Sequence, residues 1–324
     1  KAPGTFLEPI GLVFISLIFL FYYYTNPDFN IATFATIIYL VQKKFSFMQS
    51  IQSKLNNINE ALPQLKNVAD FKNAALAHKE TNIGVKPFLF SNIFEFKNIS
   101  FAYPGMDKTL SEVSFSVRKG EMLGLIGPSG AGKTTLVDII LRLFEPGAGE
   151  ILIDRESMSN IDIGDWRKKI GYVSQDIFLL NDTIENNIKF YSDSISKEEM
   201  ANAAKMANIH DLIQELPNKF DTVVGERGIR LSAGQRQRII LARTLARKPE
   251  ILVLDEATSA LDNESEVLVQ RSIEGLRGKI TVIAIAHRLS TVMNSDRLII
   301  LEDGKITEEG SPAELLKNKD SYFY

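Results

Sequence analysis

The pattern of apolar and polar positions divides the chain into two unlike parts. From Pro9 to Pro27 no residue is charged and most are apolar or aromatic, a run long enough for a helix that spans a membrane. A second apolar run begins at Ile31, is interrupted at positions 42–44, and then becomes amphipathic, with apolar residues at spacings of three and four. We therefore expect two helices in residues 1–80, the second of which extends from the membrane into water.

Residues 93–324 predict a different architecture. After a polar linker at 81–92, the alternating apolar positions from Ile93 to Tyr103 predict a half-buried strand. Further along, short apolar runs predict the buried parallel strands of an α/β domain. These runs are Glu121–Ile126, Ile251–Leu254 and Ile280–Ala286. We expect a partial transmembrane domain at 1–80, a linker at 81–92 and one large domain at 93–324.

Basic residues predict the orientation in the membrane. The turn at 25–30 carries no Lys or Arg, whereas the helix beyond residue 42 carries several. Because loops with Lys and Arg stay in the cytoplasm, the turn is expected outside and the helix tail inside. We expect an integral protein of the cell's inner or plasma membrane, in contact with the lipid bilayer, with residues 93–324 in the cytoplasm.

Lys43 and Lys44 allow two interpretations. If the second helix enters the hydrocarbon near Ile31, Lys43 lies about 18 Å deeper at 1.5 Å per residue. A charge at that depth is costly against lipid, and it would face a water-filled cavity that binds an anionic amphiphile. Alternatively, both lysines extend to the cytoplasmic surface and act as interface anchors.

Composition excludes several classes of function. The net charge of −3 gives no indication of a nucleic-acid partner. The chain has no cysteine, which excludes disulfides, thiol nucleophiles and cysteine-ligated zinc, and its three histidines are scattered. Because the first residue is Lys1 rather than methionine, we expect a fragment of a longer protein.

A glycine-rich segment directly follows the strand at Glu121–Ile126. It reads Gly127-Pro-Ser-Gly-Ala-Gly-Lys-Thr134, and a helix is predicted from Lys133 to about Phe144. Glycines let backbone N–H groups converge on phosphate oxygens, the lysine contacts the β- and γ-phosphates, and the Thr134 hydroxyl binds Mg²⁺. A glycine-rich turn without a ligand is the alternative. The predicted phosphate-binding residues are Gly127, Pro128, Ser129, Gly130, Ala131, Gly132, Lys133, Thr134 and Thr135.

Two later segments carry chemistry of their own. The strand at Ile251–Leu254 ends in Asp255 and Glu256, which places both acids at the carboxyl edge of a sheet, where α/β domains bind ligands. Leu231-Ser-Ala-Gly-Gln235 opens a helix that is predicted to run to about Arg247, with serine as the N-cap. Taken alone, the acids are also consistent with a helix N-cap cluster and the pentapeptide with an ordinary capped helix.

The order of these three segments resembles the ATP-binding cassette (ABC) family. The resemblance implies an α/β P-loop NTPase with a RecA-like core, an antiparallel β subdomain and an α-helical signature subdomain, here preceded by two transmembrane helices. It further implies a dimeric ATPase that uses ATP and Mg²⁺ and holds each nucleotide between two subunits. The commonest family pattern has glycine where this chain has Ala233, and we expect function to survive that change.

The resemblance also implies catalytic and metal-binding roles. Asp255, Thr134 and Gln175 would hold the Mg²⁺ shell, and Gln175 would also sense the membrane domain. Glu256 would orient and polarise the attacking water. His287 would contact the γ-phosphate, although a lone histidine after a strand is also compatible with a purely structural role.

Further positions match the family's nucleotide contacts. Tyr103 would stack on adenine, and the alternative is a tyrosine that ends a strand. Asp262, in Ser259-Ala-Leu-Asp262, would communicate across the dimer. The signature residues would close on the γ-phosphate bound by the other subunit, and they are Ser232, Ala233, Gly234 and Gln235.

Two local segments and the upstream helices resemble exporters within this family. Asp176–Ile188 resembles the exporter segment after Gln175, and Val224–Gly228 resembles the segment before the signature, where Glu226 would face a helix of the membrane domain. The implied function is ATP-driven export or flipping of a substrate by a half-transporter that pairs with a second half, as a homodimer or a heterodimer. The alternative is a non-transporting, ATP-dependent switch with a membrane anchor.

Overall fold

The computed structural model describes residues 4–27, 30–77, 79–80, 82–105, 108–255, 263–285, 292–319 and 321–323. It separates into two compact units, Lys1–Thr81 and Asn82–Tyr324. The domain boundaries expected from the sequence stay a prediction, and the expected linker falls largely in the second unit.

The first unit contains two helices, α1 (Gly4–Thr25) and α2 (Ile31–Ala77). The Asn30 side chain accepts a hydrogen bond from the N–H of Ala32 at 2.9 Å and so stabilises the start of α2. The Phe19 and Phe34 rings pack edge to face at 5.1 Å. Across the part of the chain that the structure describes, no helix is long and apolar enough to cross a membrane. Both helices lie where the sequence predicts them, and their role as spans stays a prediction.

The second unit contains two sheets. The first is antiparallel with strand order β2-β1-β4-β5, and the second is mostly parallel with order β10-β9-β3-β8-β7-β6. The strands are β1 (Ile93–Ala102), β2 (Lys108–Arg118), β3 (Met122–Ile126), β4 (Ala148–Ile153), β5 (Glu156–Ser157), β6 (Ile170–Val173), β7 (Ile251–Asp255), β8 (Thr281–Ile285), β9 (Arg297–Glu302) and β10 (Lys305–Gly310).

Helices surround these sheets. Where the structure describes the second unit, its α-helices include α3 (Lys133–Ile140), α4 (Ile163–Lys169), α5 (Ile184–Lys189), α6 (Lys197–Met206), α7 (His210–Glu215), α8 (Ala233–Ala246), α9 (Asn263–Glu274) and α10 (Pro312–Leu315). Short 3-10 helices lie at Met158–Asn160, Lys219–Asp221 and Glu226–Gly228. The expected P-loop architecture with an antiparallel subdomain and a helical subdomain is confirmed at this level.

The core explains why the parallel strands are apolar throughout. One face of the parallel sheet packs with the antiparallel sheet and α3, and the other face packs with α6, α8 and α9. Strand β3 is buried over its full length and pairs in parallel with β8 and β9. Since parallel strands end at the same edge of a sheet, the loop after β3 and the ends of β7 and β8 lie together.

The expected linker is packed rather than free. Phe88 and Phe90 are buried in the core, and the Lys86 N–H donates to the carbonyl of Asn160 at 3.0 Å. Burial alone would raise the pKa of Asp154, but backbone N–H donors at 91–93 outweigh it and hold that pKa below its usual value. These contacts make residues 82–92 part of the second unit.

Helix α3 is shorter than the sequence predicts. It ends at Ile140 instead of near Phe144, because Arg142 adopts a positive φ of 53°. The indole N–H of Trp166 donates to the carbonyl of Ile140 at 2.8 Å, and the Arg167 guanidinium donates to the carbonyl of Arg142 at 2.6 Å. Side chains from α4 therefore cap the end of α3.

Candidate nucleotide-binding site

The glycine-rich loop is packed tightly against its neighbours. A Cβ on Gly127 would lie 2.0 Å from the carbonyl oxygen of Leu301. A Cβ on Gly132 would lie 2.7 Å from a methyl carbon of Leu110, and the φ of Gly132 is 102°. Only glycine fits these two positions without strain, so the backbone of the loop itself forms the surface that a ligand meets.

Lys133 lies inside this loop. Its side chain is only 7% exposed, and its ammonium donates to the carbonyls of Gly127 and Pro128, both at 2.8 Å. Helix α3 begins here with Gly132 as its N-cap, and no side chain caps its first turn. The N–H groups of a first turn without a side-chain cap, together with the helix dipole, favour an anion at such an end.

A cavity of about 230 Å³ joins the loop to the end of β7. It brings together the loop, the start of α3 and Asp255, whose roles in binding phosphate and metal stay predictions. Its lining residues are Thr109, Ser129, Gly130, Gly132, Lys133, Thr134, Thr135, Asp255 and Ile285. A more open cavity of about 870 Å³ lies on the antiparallel sheet and contains none of the predicted site residues.

The donors in the smaller cavity fit a hard cation. Thr134 is exposed between buried neighbours, and Asp255 lies across the cavity from it at the end of β7. Hydroxyl and carboxylate oxygens are the ligands that Mg²⁺ prefers, and the loop supplies N–H groups for phosphate. The residues present therefore fit a magnesium–nucleotide complex.

Tyr172 contacts this site although the sequence analysis did not predict it. Its hydroxyl donates to Oδ2 of Asp255 at 3.1 Å. Burial first and Asp255 second raise the pKa of Tyr172, so the phenol keeps its proton. Burial and the nearby charge of Asp255 likewise raise the pKa of Asp138 on α3. Tyr172 pairs with Val253 in the sheet, two residues before Asp255. The sequence alone could not predict this contact, because it depends on the order of the strands.

Tyr103 lies next to the phosphate-binding loop. Its hydroxyl is 3.2 Å from the hydroxyl of Thr135, and its ring packs against Phe101 and Phe144 at 5.0 and 5.5 Å. The tyrosine therefore ends a strand and also lies close to the nucleotide cavity. Its stacking on adenine stays a prediction.

The signature segment forms a closed helix start. The Ser232 hydroxyl accepts from the N–H of Gln235 at 3.2 Å, and the Gln235 side chain accepts from the N–H of Ser232 at 2.9 Å. A Cβ on Gly234 would lie 2.3 Å from Cβ of Ser265, so this glycine allows α8 and α9 to pack. Ser232 is exposed and does not line the cavity of its own chain.

The remaining predicted residues are not brought into the cavity by the described structure. Gln175 is exposed in the loop after β6 and is not a lining residue. Glu256, Asp262 and His287 lie outside the described residues, although Glu256 follows β7 directly in the chain. Their roles stay predictions.

Arg243 is a second residue that the sequence analysis missed. From α8 it donates to the carbonyls of Asn187 at 2.7 Å and Phe178 at 2.9 Å, and its guanidinium lies 4.8 Å from the ring centre of Phe190. Burial and Arg247 lower its pKa to about 10, so it remains charged at neutral pH. Arg243 therefore ties the signature helix to the segment that follows Gln175.

The chain is similar to known ATP-binding cassette proteins. Residues 110–259 match the family model described as ABC transporter. The chain is 38% identical over 330 residues to the heterocyst differentiation ATP-binding protein HepA of Nostoc, covering 97% of this chain and 52% of that protein. It is 48% identical over 233 residues to an ATP-dependent lipid A-core flippase of Desulfotalea psychrophila, covering 72% of this chain and 41% of the flippase.

A solved structure is similar as well. The structure of a bacterial Atm1-family ABC exporter with ATP bound matches with a TM-score of 0.71 and 37% identity, over 80% of this chain and 46% of the exporter chain. The chain thus spans about half the length of the proteins to which it is similar, or less.

Proposed function

Because this chain belongs to the ABC transporter family, we propose that it is the C-terminal part of an exporter half-transporter that hydrolyses ATP to move a substrate across a membrane. Residues 82–324 form its ATP-binding cassette, and α1 and α2 are the last two helices of its membrane domain. Similarity to HepA over 97% of the chain supports this reading, since it includes the helices upstream of the cassette.

The observation that carries the proposal is the cavity shared by the glycine-rich loop and Asp255. The uncapped start of α3 and the ammonium of Lys133 supply positive charge at one end, and Asp255 supplies a carboxylate at the other. This pairing of charges suits a triphosphate together with its metal ion, and a metal-free anion would be repelled by Asp255.

Each residue has a task in binding. Backbone N–H groups at 130–135 donate to phosphate oxygens. Lys133, now bonded to the carbonyls of Gly127 and Pro128, turns its ammonium toward the β- and γ-phosphates. Thr134 and Asp255, with Gln175, hold Mg²⁺, which when bound neutralises charge on the transferred phosphoryl group. Tyr103 stacks on adenine.

Hydrolysis needs a second copy or a homologous half. Glu256 accepts a proton from the attacking water, and His287 contacts the γ-phosphate. The exposed Ser232 at the start of α8 does not line the cavity of its own chain, and as a signature residue it closes on the phosphate bound by the opposite cassette. Asp262 contacts the opposite subunit. Closure and reopening of the two cassettes move the membrane helices between two states.

The membrane part gives the proposal its substrate class. The proposed location is the cell's inner or plasma membrane, with the cassette in the cytoplasm. Lys43 and Lys44 are exposed on α2, and in a bundle of helices they face a water-filled pathway for an anionic amphiphile. Charge removal in Lys43→Ala and Lys44→Ala should reduce stimulation of ATP hydrolysis by anionic lipids but not by neutral ones. Variants that keep the wild-type preference between anionic and neutral lipids would leave the lysines as interface anchors.

Hydrolysis itself is tested with Glu256→Gln. We expect the chain to hydrolyse ATP in the presence of Mg²⁺, and the variant to bind Mg-ATP normally while losing at least about 100-fold in turnover, within the range that general acid–base catalysis contributes. A matched control is Glu250→Gln, the same change before β7, where the carboxylate pairs with Lys119 and Lys169. Unchanged hydrolysis in Glu256→Gln, or equal loss in both variants, would contradict the assignment.

A further inference from the structure

Tyr172 makes a contact with the metal-binding end of the cavity that packing alone does not require. It lies on β6, the edge strand of the parallel sheet, and its side chain is 36% exposed. The strands are in parallel register with Tyr172 beside Val253, so the tyrosine reaches two residues along β7 to Asp255. Its hydroxyl donates to Oδ2 of Asp255 at 3.1 Å.

A second carboxylate near Asp255 explains what this hydrogen bond can do. Asp138 on α3 is close enough to repel Asp255 electrostatically. A hydrogen-bond donor to a carboxylate favours its charged form and so offsets such repulsion. Tyr172 supplies such a donor to Oδ2 of Asp255, an acid that lines the cavity together with the first turn of α3.

We propose that Tyr172 is a positioning residue, which holds the Asp255 carboxylate in the orientation that binds the metal ion of the nucleotide complex. This inference rests on the proposed function, because it concerns the metal site of the same cavity. It assigns Tyr172 no contact with the nucleotide and no part in proton transfer. Its effect is confined to the contribution that Mg²⁺ makes to ATP binding.

The test separates metal-dependent binding from binding itself. ATP is titrated into the full chain by calorimetry, once with excess Mg²⁺ and once with EDTA. The Kd in EDTA divided by the Kd with Mg²⁺ gives the contribution of the metal to binding. In Tyr172→Phe we expect this ratio to fall about 10-fold, the lower end of the range for partners of metal ligands, with the Kd in EDTA unchanged. An unchanged ratio, or equal weakening under both conditions, would overturn the proposal.

Tyr191→Phe is the matched control. The Tyr191 hydroxyl also donates to a carboxylate, that of Asp182, outside the cavity. This variant should keep the wild-type ratio, and a fall equal to that of Tyr172→Phe would mark a non-specific effect and refute the inference. Loss of thermal stability in Tyr172→Phe with an unchanged ratio would mark the tyrosine as merely structural.

A double-mutant cycle tests whether the tyrosine acts through Asp255. Asp255→Asn should lower the ratio by itself, and adding Tyr172→Phe should change it no further, because residues that act as one unit are not additive. Independent, additive effects would overturn the inference while leaving the proposed function intact. A wild-type chain that binds ATP under neither condition would instead refute the proposed function, and this inference with it.

Discussion

Two helices of the cassette begin at residues that the sequence predicts to contact phosphate, and their first turns are built differently. Helix α8 starts with a reciprocal pair of hydrogen bonds between Ser232 and Gln235. Helix α3 starts at Gly132, and no side chain caps its first turn. The first turn of α8 is thus capped by side chains of the same chain, whereas the first turn of α3 has no side-chain cap.

The glycines at these two helix starts also differ: one is required by its backbone conformation and the other by close packing. Gly132 has a φ of 102°, a conformation that other residues adopt only with strain. Gly234 has no such φ, and its constraint is the close approach of Ser265 on α9. The comparison indicates that α3 is shaped for binding at a cost in stability, while α8 is shaped for packing and needs a second surface before it can contact a nucleotide.

Removing the cation at the start of α3 should have the largest effect. Lys133→Ala should weaken Mg-ATP binding by about 100-fold, since loss of one partner of a desolvated charge pair costs roughly 2–5 kcal/mol. Gln235→Ala at the start of α8 should leave ATP affinity of the isolated chain unchanged. Calorimetric titration measures both, and equal affinities in wild type and Lys133→Ala would contradict phosphate binding at α3.

The glycine pair should separate strain from packing. Gly132→Ala and Gly234→Ala should each lower the free energy of unfolding by about 2 kcal/mol, the first through backbone strain added to the contact with Leu110, and the second through overpacking alone. Adding Ser265→Gly should restore stability to Gly234→Ala, because it removes the Cβ that lies 2.3 Å away. It should do nothing for Gly132→Ala. Denaturant unfolding measures the stability of each variant. If Ser265→Gly restored stability to both glycine variants or to neither, the two glycines would not differ in the way proposed.

Local sequence explains why some of this was predictable. The strand, glycine-rich loop and helix start are contiguous, so the position of Lys133 at the start of α3 and of Ser232 as the N-cap of α8 follow from neighbouring residues. The end of α3 is different. The side chains of Trp166 and Arg167, about 25 residues further along the chain, donate hydrogen bonds to carbonyls at its end. No sequence pattern near Phe144 indicates these contacts.

Long-range packing also explains the contacts of residues 82–92 and the residues that the sequence analysis missed. Polar composition predicts a linker at 81–92, but Phe88 and Phe90 fill the core between elements that are distant in sequence. Tyr172 and Arg243 belong to none of the motifs that the sequence analysis used. Their partners, Asp255 and the Asn187 carbonyl, are defined only by strand order and helix packing.

The N-cap of α8 should matter for stability before it matters for binding. Ser232→Ala should lower the free energy of unfolding by about 1 kcal/mol, the usual cost of losing such a cap. ATP affinity of the isolated chain should not change, whereas Ser232→Arg should in addition block hydrolysis by a dimer. Thermal unfolding and titration are compared for both variants, and a loss of ATP binding in the isolated chain would mean that Ser232 serves its own cavity.

The smallest expected effect concerns the charge carried by α3. Burial and Asp255 raise the pKa of Asp138 above its usual value of 3.8, so the ionised carboxylate opposes folding at neutral pH. Asp138→Asn should therefore unfold at a slightly higher temperature than wild type at pH 7.5. The gain should shrink as the pH falls through the raised pKa, and vanish below the unfolded value, where both states of wild type are protonated.

Asp154 provides the control of opposite sign. Backbone N–H donors hold the pKa of Asp154 below 3.8, so its charge stabilises the fold above that pH, and the contribution is lost as the pH falls through the lowered folded value. Asp154→Asn should therefore unfold at a lower temperature than wild type at pH 7.5, and the deficit should close in acid. If Asp138→Asn behaved in the same way, the carboxylate on α3 would stabilise the helix, and the contrast between a strained α3 and a relaxed α8 would rest on Gly132 alone.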